Sequence, residues 1–150
     1  MNRKQKDALL KEVELFSGLS RQYLSILGES CHEKTFKEGE TLMEQGQRGL
    51  GLIVIVSGSV RVVKKIASGE ELEVGTSGPG EFIGEIAVLD DSPRSASVIA
   101  TEDTECLVLA SWTFNAAMKN HPEIALEVLP VVVRRYRETN DKLLEMQGQG

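Results

Sequence analysis

Between residues 31 and 110 the sequence is a series of short β-branched or alternating runs cut by glycines, and this pattern limits the fold more than any other feature. The runs are HEKTF, ETLME, LIVIV, SVRVVKKI, ELEVG, SASVIA and CLVLA, punctuated by Gly39, Gly46, Gly58, Gly69, Gly80 and Gly84. Short runs rich in Val and Ile and bounded by turn residues read as strands. Seven or eight of them at regular spacing predict an all-β barrel or jelly roll. At 150 residues the chain has room for one such unit and a few flanking helices, so a single domain over 1–150 is expected.

The flanks carry the other periodicity. Residues 6–29 space Leu9, Leu10, Val13, Phe16, Leu19, Tyr23, Leu24, Ile26 and Leu27 as a helix does. Gly18 and Ser20 divide this segment, which predicts two short helices with Ser20 as N-cap of the second. After Ser111, read as another N-cap, WTFNAAMKN is helical, and a longer helix is expected from about Pro122 to Met146. Pro122 suits a first turn, whereas Pro130 falls inside the run, removes one backbone bond and should kink it. Beyond Pro130, the residues Val132, Tyr136, Thr139, Leu143 and Met146 continue a heptad seam that starts at Leu129. Such a seam is too short to stand alone, yet with a barrel to hold it in place it predicts a homodimer contact through the C-terminal helix. The terminal QGQG reads as a frayed end.

Several classes of function are disfavoured. The net charge of −6 argues against general nucleic-acid binding, which depends on cations displacing counterions from phosphates. The longest apolar run, LIVIV, is far short of the roughly 20 residues that cross a bilayer. The N-terminus lacks the uncharged apolar stretch of a signal peptide, so no membrane contact and a cytoplasmic location are expected. His32 and His121 sit outside any HExxH or nucleophile-elbow pattern, and Cys31 and Cys106 have no CxxC spacing. No enzyme, metal or cofactor is therefore expected, and both thiols read as small buried hydrophobes. GPGEFIG, residues 78–84, has the spacing GxGxxxG, one residue too long for a dinucleotide fingerprint, and strands rather than helices surround it.

The chemistry concentrates in FIGEIAVLDDSPRSASV, residues 82–98. EIAVL can form one helical turn whose unpaired N–H groups suit a phosphate, and Gly84 lets the backbone come close. Pro93 stiffens the turn that delivers Arg94, whose planar guanidinium can pair with two phosphate oxygens, and Ser95 adds a hydroxyl and an amide. A phosphate would repel Glu85, which instead suits a sugar hydroxyl. Phosphate at one end and ribose at the other describe a compactly bound nucleotide. The alternative is a surface ion pair between Glu85 and Arg94 in an interaction scaffold that binds no nucleotide; it leaves Gly84, Ala87, Pro93 and the small residues Ser95, Ala96 and Ser97 without a reason. Asp90 and Asp91 read as solvated turn residues.

These stretches resemble the cyclic nucleotide-binding domain family, which includes catabolite-activator-type regulators, regulatory subunits of cyclic AMP-dependent kinase and cyclic nucleotide-gated channels. The resemblance runs from LFSGLSRQYLSIL through FKEGETLMEQG and IVIVSGSVRV to RRYRETNDKLLE, and GEIAVLDDSPRSA is similar to the family's phosphate-binding cassette. It implies a mainly β fold, a β-roll or jelly roll (double-stranded β-helix) closed by N- and C-terminal α-helices. It also implies a regulatory module that senses a cyclic nucleotide and signals through its C-terminal helix. Gly84, Glu85, Ile86 and Ala87 would start the cassette helix, with Glu85 on the ribose 2′-hydroxyl. Arg94, supported by Ser95 and Ala96, would hold the cyclic phosphate, and Thr139 and Asn140 would meet the base. Cyclic AMP is the expected ligand and cyclic GMP stays open, because guanine-selective members often carry threonine where Ser95 stands. No helix-turn-helix domain follows within these 150 residues, so a complete chain is expected to signal through a partner, such as a separate effector protein, or as a dimer, whereas in a fragment the effector lies elsewhere.

Overall fold

The computed structural model describes residues 1–49 and 51–148, apart from the side chain of Asp90. It is mainly β: eight strands in two antiparallel four-stranded sheets, flanked by helices at both ends of the chain. Helix α1 (Arg3–Glu12), a 3₁₀ turn at Glu14–Phe16 and α2 (Arg21–Ser30) come first. Next are β1 (His32–Phe36), β2 (Thr41–Met43), β3 (Gly51–Ser57), β4 (Val60–Lys65), β5 (Glu71–Ser77) and β6 (Phe82–Ile83). A short helix α3 (Glu85–Asp90) separates these from β7 (Ser97–Ala100) and β8 (Thr104–Ala110), and α4 (Ser111–Asn120) and α5 (Pro122–Gly148) complete the described chain. The sheet orders are β1-β8-β3-β6 and β2-β7-β4-β5.

The unbroken apolar runs of β3 and β8 have a physical cause. Strand side chains alternate between faces, so a run that is apolar throughout must be buried on both. In register, Leu52 meets Leu109 and Val54 meets Leu107, while Ile53 meets Val108 and Ile55 meets Cys106. The first set joins Phe16, Phe114, Ile124 and Val128 in a core beneath the helices. The second set joins Phe36, Leu42, Met43, Val60, Ile83 and Val98 inside the roll. One sheet thus divides two apolar cores, and Phe16 and Phe114 pack in the outer one with ring centroids 5.9 Å apart.

The helix boundaries refine the sequence expectations. Ser20 occupies an N-cap position, although its side chain makes no capping bond. Ser111 is not an N-cap: Ala110 holds that place with an extended backbone and Ser111 is the first helical residue, because β8 runs straight into α4. Pro130 lies inside α5, which is helical on both sides of it. Leu126, whose carbonyl the proline leaves unpaired, is exposed, so that group can turn to water. Strand β6 went unread because it has only two residues. Of the terminal QGQG, residues 149–150 lie outside the described set. No helix among the described residues is long and apolar enough to cross a membrane.

Candidate functional site

Helix α3 is set between two left-handed residues. Gly84, its N-cap, has φ of 88°, and Asp91, its C-cap, has φ of 55°. Gly84 is required twice over. A side chain would be strained at that φ, and a Cβ would lie 2.5 Å from Met43 Cε and 2.6 Å from Arg94 Nη1. The exposed Asp91 accepts a 2.6 Å ion pair from Arg48; the Asp90 side chain lies outside the described residues.

Arg94 is a buried charge held through both its side chain and its backbone. It is 5% exposed, and its Nη1 and Nη2 donate 2.7 Å hydrogen bonds to the Gly84 and Gly51 carbonyls. Its backbone is tied as well: Gly46 N donates to Arg94 O at 2.9 Å and Arg94 N donates to Gln47 O at 3.0 Å. Nε is buried and has no partner. Burial pushes the guanidinium pKa down and the charge of Glu85 pushes it back up. An arginine nevertheless stays protonated. Among the described residues no carboxylate forms an ion pair with this buried cation.

Glu85 is also buried, at 7% exposure, but its partner is Arg135 of α5, whose Nη1 lies 3.1 Å from Glu85 Oε1. The internal Glu85–Arg94 ion pair on which the scaffold reading relied is therefore not formed. Arg135 stacks its guanidinium 4.4 Å over the Phe82 ring and donates to the Phe82 carbonyl at 3.3 Å. The sequence reading missed Arg135. It stands among Arg134 and Arg137, and only its phase on the helix, one turn ahead of Thr139, separates it from them.

Two hollows meet at this ion pair. The first, about 180 Å³, has Met43, Val62, Ile83 and Val98 as apolar wall. Gly84, Glu85, Ile86, Ala87, Arg94, Ser95 and Ala96 all line it, so seven of the nine proposed site residues share one cavity. The second, about 580 Å³ and mostly apolar, lies between α3 and α5 and is lined by Ile86, Val132, Val133, Tyr136 and Thr139. Glu85 and Arg135 line both. Thr139 thus borders the groove rather than the cassette cavity, with its hydroxyl donating to the Arg135 carbonyl at 3.0 Å. Asn140 is exposed and lines neither hollow, because it lies on the next flank of the helix.

Outside this region reactive chemistry is sparse. Cys31 and Cys106 are free and buried, and burial pushes each thiol up to about 11. His121 packs against Tyr23 with the rings tilted at 52° and their centroids 5.6 Å apart. Among the described residues no group of three His, Cys, Asp or Glu side chains could hold a metal ion.

Comparison with known proteins bears on the same residues. The sequence profile of the cyclic nucleotide-binding domain matches residues 33–121. The chain is 32% identical over 134 residues to the cyclic AMP receptor protein of Thermus thermophilus, an alignment covering 89% of this chain and 62% of that one. It is 34% identical over 99 residues to a cAMP-dependent protein kinase regulatory subunit of Mycosarcoma maydis, covering 66% of this chain and 19% of the relative. The crystal structure of the Thermus thermophilus catabolite activator protein superposes with a TM-score of 0.78 at 31% identity, over 89% of this chain and 63% of that one. The chain therefore spans less than two thirds of the length of each of these proteins.

Proposed function

Because the chain belongs to the cyclic nucleotide-binding domain family, we propose that it is a regulatory sensor whose ligand is cyclic AMP and whose signal leaves through α5. The observation that carries this reading is Arg94, a buried guanidinium with no ion-pair partner among the described residues, beside a cavity that also holds a buried carboxylate. A cyclic phosphate brings a single negative charge to pair with this cation, and Ser95 supplies a hydroxyl at the rim. Glu85, with Oε1 taken by Arg135, accepts the ribose hydroxyl through its second oxygen.

The cavity volumes support a division of the ligand between the two hollows. The cassette cavity is smaller than the roughly 300 Å³ at which ligand pockets usually begin, so it holds phosphate and sugar and the base extends into the groove along α5. There it meets Ile86, Val132 and Tyr136, with Thr139 as the polar contact, while Asn140 lies outside both hollows. A ligand that touches Glu85 and Thr139 together fixes the placement of α5 through Arg135, which is how occupancy becomes a signal. We further propose that α5 pairs with its copy in a homodimer, that a separate effector reads the helix in the cytoplasm, and that no nucleic acid or membrane is contacted directly.

Titration calorimetry with cyclic AMP and cyclic GMP tests the proposal. Arg94→Ala should cost about 3–5 kcal/mol, or two to four decades of affinity, because a buried phosphate is left unpaired. Equal and weak binding of both nucleotides by wild type and variant would sink it.

A further inference from the structure

We propose that Gly49 is a positioning residue for the Arg94 guanidinium, an inference that rests on the cyclic-nucleotide reading of the site. Most of the glycines in the turns around the roll have a positive φ, so backbone conformation alone accounts for them. Gly49 does not; its φ lies in the range any residue adopts. Nothing about its own backbone calls for glycine. Its surroundings do, since a Cβ there would lie 2.7 Å from Arg94 Nη2, 2.8 Å from Cζ and closer still to Nε.

The guanidinium is the far end of a flexible side chain, and such ends usually move aside cheaply. Here movement is costly. A displaced guanidinium gives up its two carbonyl bonds, a part-buried one from Nη1 to Gly84 and a buried one from Nη2 to Gly51. Nor can the loop retreat easily. Gly46 and Gln47 exchange backbone bonds with Arg94, and Gln45 N donates to Ser97 Oγ at 2.9 Å. The Gln45 amide side chain bridges both ways to the Lys65 backbone, and Arg48 is paired with Asp91. Residues 45–48, just before the contact, are thus strapped to β4, β7 and the end of α3. Gly49 lies against the unpartnered Nε, on the edge that the two carbonyls leave free, so the loop acts as a backstop that sets how far the cation can withdraw from the cavity.

Gly49→Ala, alone and paired with Arg94→Lys, isolates this contact. Gly49 is exposed and its φ is ordinary, so the backbone adds no strain, and any loss of unfolding stability comes from the displaced guanidinium and should be absent in an Arg94→Lys background. Gly75→Ala is the matched control, because Gly75 also has an ordinary φ and a Cβ there meets nothing within 4 Å. Calorimetry with cyclic AMP should give about tenfold weaker binding for Gly49→Ala and no change for Gly75→Ala. The Arg94 Nε–H resonance in ¹H–¹⁵N spectra, assigned by its loss in Arg94→Lys, should move in the first variant alone, with or without nucleotide. In an Arg94→Lys background the Gly49→Ala penalty should vanish, since the two residues act as one unit. Wild-type affinity together with an unmoved resonance would overturn the role of Gly49. Failure of the wild type itself to bind cyclic nucleotide would instead overturn the functional reading, and the resonance would still decide the placement of Arg94.

Discussion

The two halves of α5 share one backbone and have opposite surroundings. In the first half, Ile124, Val128 and Val131 are buried against the helices and the outer face of β3 and β8. Beyond Arg135, the large apolar residues Tyr136, Leu143, Leu144 and Met146 are all more than half exposed. Helix propensity does not distinguish the halves; anchorage does. Once the first half is docked, each further residue adds a hydrogen bond without a new nucleation cost, so the second half extends from a fixed base. Arg135 stands at the boundary, where its ion pair with Glu85 joins α5 to α3.

The largest test of this asymmetry removes the anchor. Ile124→Ala should lower folding stability by about 2–5 kcal/mol, because a fully buried side chain leaves a cavity. Leu144→Ala, the same kind of truncation on the exposed half, should stay within about 0.5 kcal/mol. Chemical denaturation followed by circular dichroism measures both, and equal losses would erase the distinction between the halves.

The two thiols sharpen the same comparison, since Cys31 belongs to the core that anchors α5 and Cys106 to the interior of the roll. Burial raises each from 9.0 to about 11. A raised folded-state value means that the stabilisation is whole below the unfolded value and is lost as pH climbs through the folded one. Stability should fall between pH 9 and 11, by about 1–2 kcal/mol per thiol, and Cys→Ala variants should flatten that fall. At neutral pH both thiols should resist alkylation. In Ile124→Ala, Cys31 should become reactive before Cys106.

Those cores were legible in the sequence because two-sided burial leaves an unmistakable trace: LIVIV and CLVLA are apolar without alternation. The cassette was legible because Gly84, Pro93 and the small residues after Arg94 make sense only around a close-packed charge. Arg135 was not, since choosing it over Arg134 or Arg137 needs the rotation of α5 against Phe82, which is set by packing with residues more than a hundred positions away, such as Phe16. Ser111 misled because a cap-type residue also fits a first turn when a strand feeds straight into a helix. The reach of Gly49 to Arg94 is likewise invisible without the folded loop.

At the boundary itself, Arg135→Leu should cost about 1 kcal/mol, since it removes the cation–π contact with Phe82 and leaves Glu85 buried without its ion pair. Its sharper effect should fall on the free half. Amide exchange from residues 136 to 148 should quicken while that from 122 to 131 stays protected, and uniform protection would show that Arg135 does not couple the halves.

The smallest effect on the fold belongs to the free half, where it is also the most informative. Leu129, Val132, Tyr136, Thr139, Leu143 and Met146 follow heptad spacing, and of these only Val132 is partly covered by the chain's own domain. An apolar seam left bare along a helix already held at its base is the geometry a parallel copy can bury, knob into hole, without ordering a new helix. Leu143→Ala should therefore change unimolecular stability by less than about 0.5 kcal/mol, yet shift self-association toward monomer in sedimentation equilibrium across a concentration series. If wild type and Leu143→Ala sediment alike as monomers at every concentration, the seam has no copy to meet. The contrast between the halves of α5 would then reflect solvent exposure alone.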